Sequence, residues 1–194
     1  MFASAFLILV AVLYRVVPVM MGVDQNGWLS NFAPLAAIAL CGAIYLPRRM
    51  AVLLPLAALV VSDVVLNVFH YHRDLLTWEI LPRYVALALV SALGFSLRGE
   101  ATTGRVIGAS IVGSLAFYFI SNTGSWIADP GYAKTAGGWV MAMTSGLPGH
   151  PPTWMFYRNT LVSDVLFTGL FLLSQAVTGG GTADPKIARP ALAS

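Results

Sequence analysis

The sequence predicts an all-α fold: a polytopic membrane protein built as a bundle of six transmembrane helices. Three observations predict it. Only 10% of the 194 residues are charged and 58% are hydrophobic, whereas a soluble domain carries roughly 25% charged residues. The apolar residues lie in long blocks, and mean hydropathy is +0.78. The polar and turn-forming residues fall between those blocks.

A spanning helix needs about 20 mostly apolar residues, or about 17 at the short end. Six segments qualify: 2–20, 32–46, 51–69, 84–97, 106–121 and 159–177. The second and fourth are short and recruit flanking residues. The first lacks a basic start and carries Arg15 where a cleavage region would lie, so it reads as a retained span and not a secretory signal. Residues 1–178 then form a single membrane domain, and 179–194 a loose tail rich in Gly, Pro and Ala. The single Cys41 lies inside the second span and has no internal disulfide partner.

The connections divide into two kinds. Pro47-Arg48-Arg49 and the stretch from Arg98 to Arg105 are tight and basic. The segments 21–31, 70–83 and 122–158 are longer. Basic short loops mark the cytoplasmic side. The expected orientation has both termini cytoplasmic and the long segments outside. Segment 122–158 carries Trp126, Trp139 and Trp154, and loops of this length are functional or disordered. It is expected to form a lid, with 134–146 as a short interfacial helix.

Charged residues inside the apolar blocks are the candidate site. Ser62-Asp63 and Ser163-Asp164 sit in look-alike segments. An ionised carboxylate in hydrocarbon costs at least a few kcal/mol, so it faces a partner, a cavity or the bundle interior. The echo raises either an internal duplication of three spans or convergence. An inverted repeat would place the two carboxylates at opposite depths. Helix rise instead puts Arg15, Asp63 and Asp164 all roughly 8–9 Å below the outer boundary. They are expected to meet there, as a buried ion-pair clamp, a ligand site or both. Asn67 lies one helical turn beyond Asp63. Asn31, Asn122, Trp126, Arg158 and Asn159 are expected at the mouth and lid. Ser62 and Ser163 are expected to bond back to their own helix.

Other chemistries have less behind them. His70, His72 and Asp74 give half a metal site at loop spacing, whereas zinc takes three or four ligands. Neither metal nor cofactor is expected. The sequence has no Gly-x-Ser-x-Gly elbow, phosphate loop or Cys pair, so an enzyme is not expected, although an intramembrane hydrolase is a third alternative. There is no basic cluster with interleaved aromatics, which argues against nucleic acid. The partners expected are a small-molecule solute and the lipid bilayer. Small-residue stripes at Ala33, Ala37 and Cys41, at Ala88, Ala92 and Ser96, and at Ala109 and Gly113 allow close helix approach.

Several of these segments, taken together, resemble a bacterial family of uncharacterised small membrane proteins classed as candidate transport proteins. An Arg in the first span, here Arg15, precedes an Asn-Phe-x-Pro motif, here Asn31-Phe32-Ala33-Pro34. A Pro-Leu-Ala-Ala pattern leads to Ser-Asp, here Pro55 through Asp63. Ser121-Asn122 with Gly124 and Trp126 forms a third match, and Arg158-Asn159-Thr160-Leu161 with Asp164 a fourth. The layout is also similar to the S components of energy-coupling factor vitamin transporters. That resemblance implies binding of a vitamin-like nutrient from the outer face, outer loops as gates, and an energising membrane partner. The S components dock through an Ala-x-x-x-Ala pair in the first span; here Ala3, Ala5 and Ala11 are wrongly spaced, and the second-span stripe is the substitute. The expected function is therefore solute binding for uptake, with a non-transport scaffold as the alternative.

Overall fold

The protein is described by a computed structural model covering residues 9–10, 13, 16–17, 19–22, 34–70, 72 and 80–177. Every regular element among them is helical. Residues described between Leu9 and Met20 are helical and end in a turn at Met21 and Gly22. Six elements follow: α1 (Leu35–Tyr45), α2 (Arg48–Val64) continuing into a π-helical turn (Val65–His70), α3 (Ile80–Ser96), α4 (Thr103–Ala128), α5 (Ala136–Met143) and α6 (Thr153–Val177). Among the described residues three helices, Arg48–Val68, α4 and α6, are long and apolar enough to cross a membrane.

The outward faces fit a bilayer. Leu53 and Val61 on α2, Leu81 and Leu89 on α3, Val112 on α4, and Leu166 and Leu173 on α6 are exposed. The polar side chains Ser110, Ser114, Asp164 and Thr168 are fully buried. Apolar outside and polar inside inverts the pattern of a soluble domain and is stable where the surrounding solvent is hydrocarbon. On these grounds the chain is a membrane protein.

At the centre is α1, and here the expected second span is corrected. The helix has 11 residues, about 16 Å of rise, roughly half of a 30 Å hydrocarbon layer. Its sequence is apolar all round, and nine of those 11 residues, Ala36 through Ile44, are buried. A helix apolar on every side is stable only when enclosed, and α2, α3, α4 and α6 all pack on it. Small residues make this possible. A Cβ at Gly94 of α3 would lie 2.6 Å from the Leu40 carbonyl oxygen, so only glycine lets α3 approach α1 that closely. Gly42 faces the ring of Pro55 on α2.

Two further boundaries differ from expectation. Helix α4 runs on to Ala128 and α6 starts at Thr153, so Asn122, Trp126, Arg158 and Asn159 lie on helices and not in a loop. The reason is visible locally. Ser121, Asn122 and Ser125 bond back to carbonyls of Phe117, Tyr118 and Ser121, which satisfies polar side chains without leaving the helix. Gly124 packs against Pro82. The expected short helix within 134–146 is α5, capped by Thr135 accepting from the Gly138 N–H at 3.2 Å, the usual work of a threonine at that position. Gly146, at φ 70, returns its N–H to the Met141 carbonyl and ends the turn after α5.

Candidate functional site

Two polar regions occupy the interior. The first is the clamp around α1. A helix leaves its first N–H groups and last carbonyls without intrahelical partners, and α1 has no capping side chain of its own at Pro34. The deficit is met from elsewhere in the fold. Asp164 Oδ1 accepts from the Ala37 N–H at 2.9 Å. Its Oδ2 accepts from the Ser114 hydroxyl at 2.5 Å. At the other end, Arg98 Nε and Nη2 donate to the Ala43 carbonyl at 2.9 and 2.6 Å, and Nη2 also reaches the Leu46 carbonyl. A carboxylate at the N-terminus and a guanidinium at the C-terminus both match the helix dipole.

Asp164 lies 11 residues into α6, which starts at Thr153, about 16 Å along the axis and near the middle of the helix. One turn further, Thr168 donates to Ser110 at 2.9 Å, and the Cys41 thiol faces Thr168. The polar contacts thus form rungs between α4 and α6, with α1 between them.

The second region is a cleft of about 240 Å³ over the start of α1. Leu35 of α1 lines it. Arg83 comes from α3, Phe117, Tyr118, Ser121, Asn122 and Ser125 from α4, and Phe156, Tyr157 and Thr160 from α6. The rings of Tyr118 and Tyr157 stand 4.7 Å apart at 39°. Arg83 Nη1 lies 3.7 Å from Asp63 Oδ1. Asp63 is 3% exposed, so its charge is balanced across the α2–α3 boundary beside the cleft.

The structure sorts the expected site residues as follows. Arg15 and Asn31 lie outside the described residues, as does Asp74. Asp63 is paired with Arg83 and Asp164 with the α1 N-terminus. Asn122 lines the cleft. Asn67 is half-buried in the π turn. Trp126 donates to the Ala133 carbonyl at 2.9 Å, which pins segment 129–135 to α4. Arg158 donates to Asn159 Oδ1 at 3.1 Å and lies over the Trp154 ring. Asn159 is 1% exposed. Ser62 bonds back to the Leu59 carbonyl as expected. The Ser163 hydroxyl is buried with no hydrogen-bond partner among the described residues, against the expectation of a back-bond. Among the described residues no group of three His, Cys, Asp or Glu is placed to hold a metal.

Sequence reasoning missed Arg83, Ser114, Tyr118, Ser121, Tyr157 and Thr160. Their signal was present. Ser110, Ser114, Tyr118, Asn122 and Ser125 recur at three- and four-residue steps on α4, and Tyr157, Thr160, Asp164 and Thr168 do so on α6. Such spacing puts each set on one helical face.

Segment 129–152 folds over the ends of α4 and α6. Trp139 donates to Thr123 Oγ1 at 3.0 Å, Tyr118 donates to the Met143 carbonyl, and Lys134 reaches the Trp126 and Asp129 carbonyls at the end of α4. Tyr132 in this segment has its phenol pushed up by burial, and further by the Asp129 carboxylate, against a hydrogen bond to Leu147.

No curated protein and no solved structure matches the chain. A family model matches residues 1–182. By that match the chain belongs to the family of unknown function DUF6580.

Proposed function

We propose that this is a bacterial inner-membrane protein that binds a small solute in the Arg83–Asn122–Tyr157 cleft and takes part in its uptake. The observation that supports the reading is the cleft itself. It combines a cation, a row of hydroxyl and amide groups, and aromatic walls. Small-molecule sites share this makeup of apolar walls with a few convergent polar groups. Helix α1 stops halfway through the bundle, and the cleft lies over its first turn. The proposed orientation has both termini in the cytoplasm and the α5 end outside, where a nutrient would enter. The layout is then like that of an S component, with energy supplied by a membrane partner or a gradient. The protein is read as a binding protein and not an enzyme.

The competing reading is a scaffold with no solute. The clamp favours it, because Asp164 and Arg98 serve α1 directly. Native mass spectrometry of protein purified from its own host's membranes separates the two. A retained small molecule other than lipid, lost on substitution of Asn122, is the expected result. Absence of any such molecule, together with no thermal shift across a broad solute panel, overturns the uptake reading in favour of the scaffold.

A further inference from the structure

We propose that the cleft is built for a small aromatic carboxylate bearing a hydrogen-bond donor such as a hydroxyl, with its carboxylate on Arg83. The inference rests on the reading of the cleft as a solute site and names the class of solute.

Three features of the lining select the class. The first is Arg83. Its planar fork offers five N–H donors suited to a carboxylate. At 3.7 Å its pairing with Asp63 is closed by charge and not by a hydrogen bond, since hydrogen bonds of this type span about 2.7–3.2 Å. The fork's donors are available to a ligand, and its side chain keeps 30% of its exposure. Among the described residues it is the cation of the cleft lining, and the Asp63 carboxylate lies 3.7 Å from it. Asp63 already draws on the Arg83 charge, so each further negative charge is less compensated, and a monoanion is favoured over a dianion such as a phosphate monoester.

The second feature is the α4 row. The Ser121 hydroxyl donates to the Phe117 carbonyl at 2.7 Å, the Ser125 hydroxyl to the Ser121 carbonyl at 3.2 Å, and the Asn122 amide to the Tyr118 carbonyl at 2.8 Å. The two serine hydrogens are committed to their own helix, while the Asn122 amide keeps one N–H and its Oδ1. The serine oxygens and Asn122 Oδ1 keep lone pairs for a ligand, so the row offers more acceptors than donors. A matching ligand carries a donor there.

The third feature is the wall of Phe117, Tyr118, Phe156 and Tyr157. Offset aromatic stacking adds about 0.5–1.5 kcal/mol beyond area burial, which favours a flat ring over a saturated one. The volume of about 240 Å³ falls below the range of roughly 300–1,000 Å³ for drug-sized ligands. A single ring with one or two substituents is the scale.

The test uses the full chain in nanodiscs and calorimetric titration with five probes: 4-hydroxybenzoate, benzoate, 4-hydroxybenzamide, 4-hydroxycyclohexanecarboxylate and 4-hydroxyphenyl phosphate. The expected order places 4-hydroxybenzoate first. Arg83→Gln should weaken it by about tenfold to a hundredfold, the worth of a charged hydrogen bond, and leave the amide unchanged. Arg83→Lys should recover part of the loss. Asn122→Ala leaves the Asp63–Arg83 pair in place, so it guards against simple misfolding. It should abolish the advantage of 4-hydroxybenzoate over plain benzoate. If the amide, the saturated ring or the phosphate ester binds as well as 4-hydroxybenzoate, the class is wrong while the solute site stands. The class is equally wrong if a solute from the host occupies the cleft and none of the five probes does. If the cleft takes no solute of any kind, the uptake reading falls and the inference falls with it.

Discussion

Asp164 on α6 accepts a hydrogen bond from the backbone of Ala37, 127 positions earlier in the chain. A side chain from one helix thus serves as the cap of another. Ser114 holds the second oxygen from a third helix, so α1, α4 and α6 meet at one carboxylate. Arg98 does the matching work at the far end of α1.

Removing the carboxylate should therefore cost stability. Asp164→Ala leaves the Ala37 N–H and the Ser114 hydroxyl buried without a partner, at about 1–3 kcal/mol per group. Asp164→Asn keeps an acceptor and loses the charge, so it should cost less. The order wild type, Asn, Ala should appear in denaturant or thermal unfolding in detergent. Equal stability of Asp164→Ala and wild type sinks the capping role.

Arg98 gives a parallel expectation with a different chemistry. Arg98→Gln removes the charge at the α1 C-terminus and all but one donor arm, and should destabilise by about 1–3 kcal/mol. Arg98→Lys keeps the charge and loses the fork, so it should fall between. Because α1 links the two caps, Arg98→Gln combined with Asp164→Ala should depart from additivity. Strict additivity in the unfolding free energies would show that the caps act on separate units.

The glycine of α3 is a steric matter. Gly94→Ala would bring a methyl to 2.6 Å from the Leu40 carbonyl and 2.7 Å from the Ala43 side chain. Both neighbours belong to a helix enclosed on all sides, so neither can shift cheaply. The expected loss is about 1–3 kcal/mol, typical of overpacking. Gly104→Ala, where a Cβ meets nothing within 4 Å, is the control and should be neutral or slightly stabilising, as in other helices. A loss at Gly104 equal to that at Gly94 would count against the close α1–α3 packing.

Orientation has its own check. Cysteine introduced at Thr135, in the turn before α5, should react with a membrane-impermeant reagent added outside intact cells. Cysteine at Arg49, at the start of α2, should react only after permeabilisation. The native Cys41 is buried and is replaced by Ala as background. The reverse pattern inverts the topology and, with it, the outward-facing cleft.

The sequence alone determined the class of fold and much of its segmentation. The apolar blocks from 51 and 159 correspond to α2 and α6, and a short helix inside 134–146 is α5. It also marked Asp63 and Asp164 as residues that needed partners, because burial of a carboxylate is costly whatever the fold. Which partners they took was decided by tertiary structure. Residues 32–46 read as a full span because hydropathy counts apolar residues and ignores where a helix can begin. The start of α1 at mid-bundle depends on Asp164 and Ser114, supplied from remote chain positions. The pairing of Asp63 with Arg83 likewise depends on how α2 and α3 face one another, which no local pattern encodes. The cleft was missed for the same reason. Its polar rows are periodic in the sequence, but periodicity gives a helix face and not the neighbour it meets. Only the packing of α1, α3, α4 and α6 turned those faces toward one space.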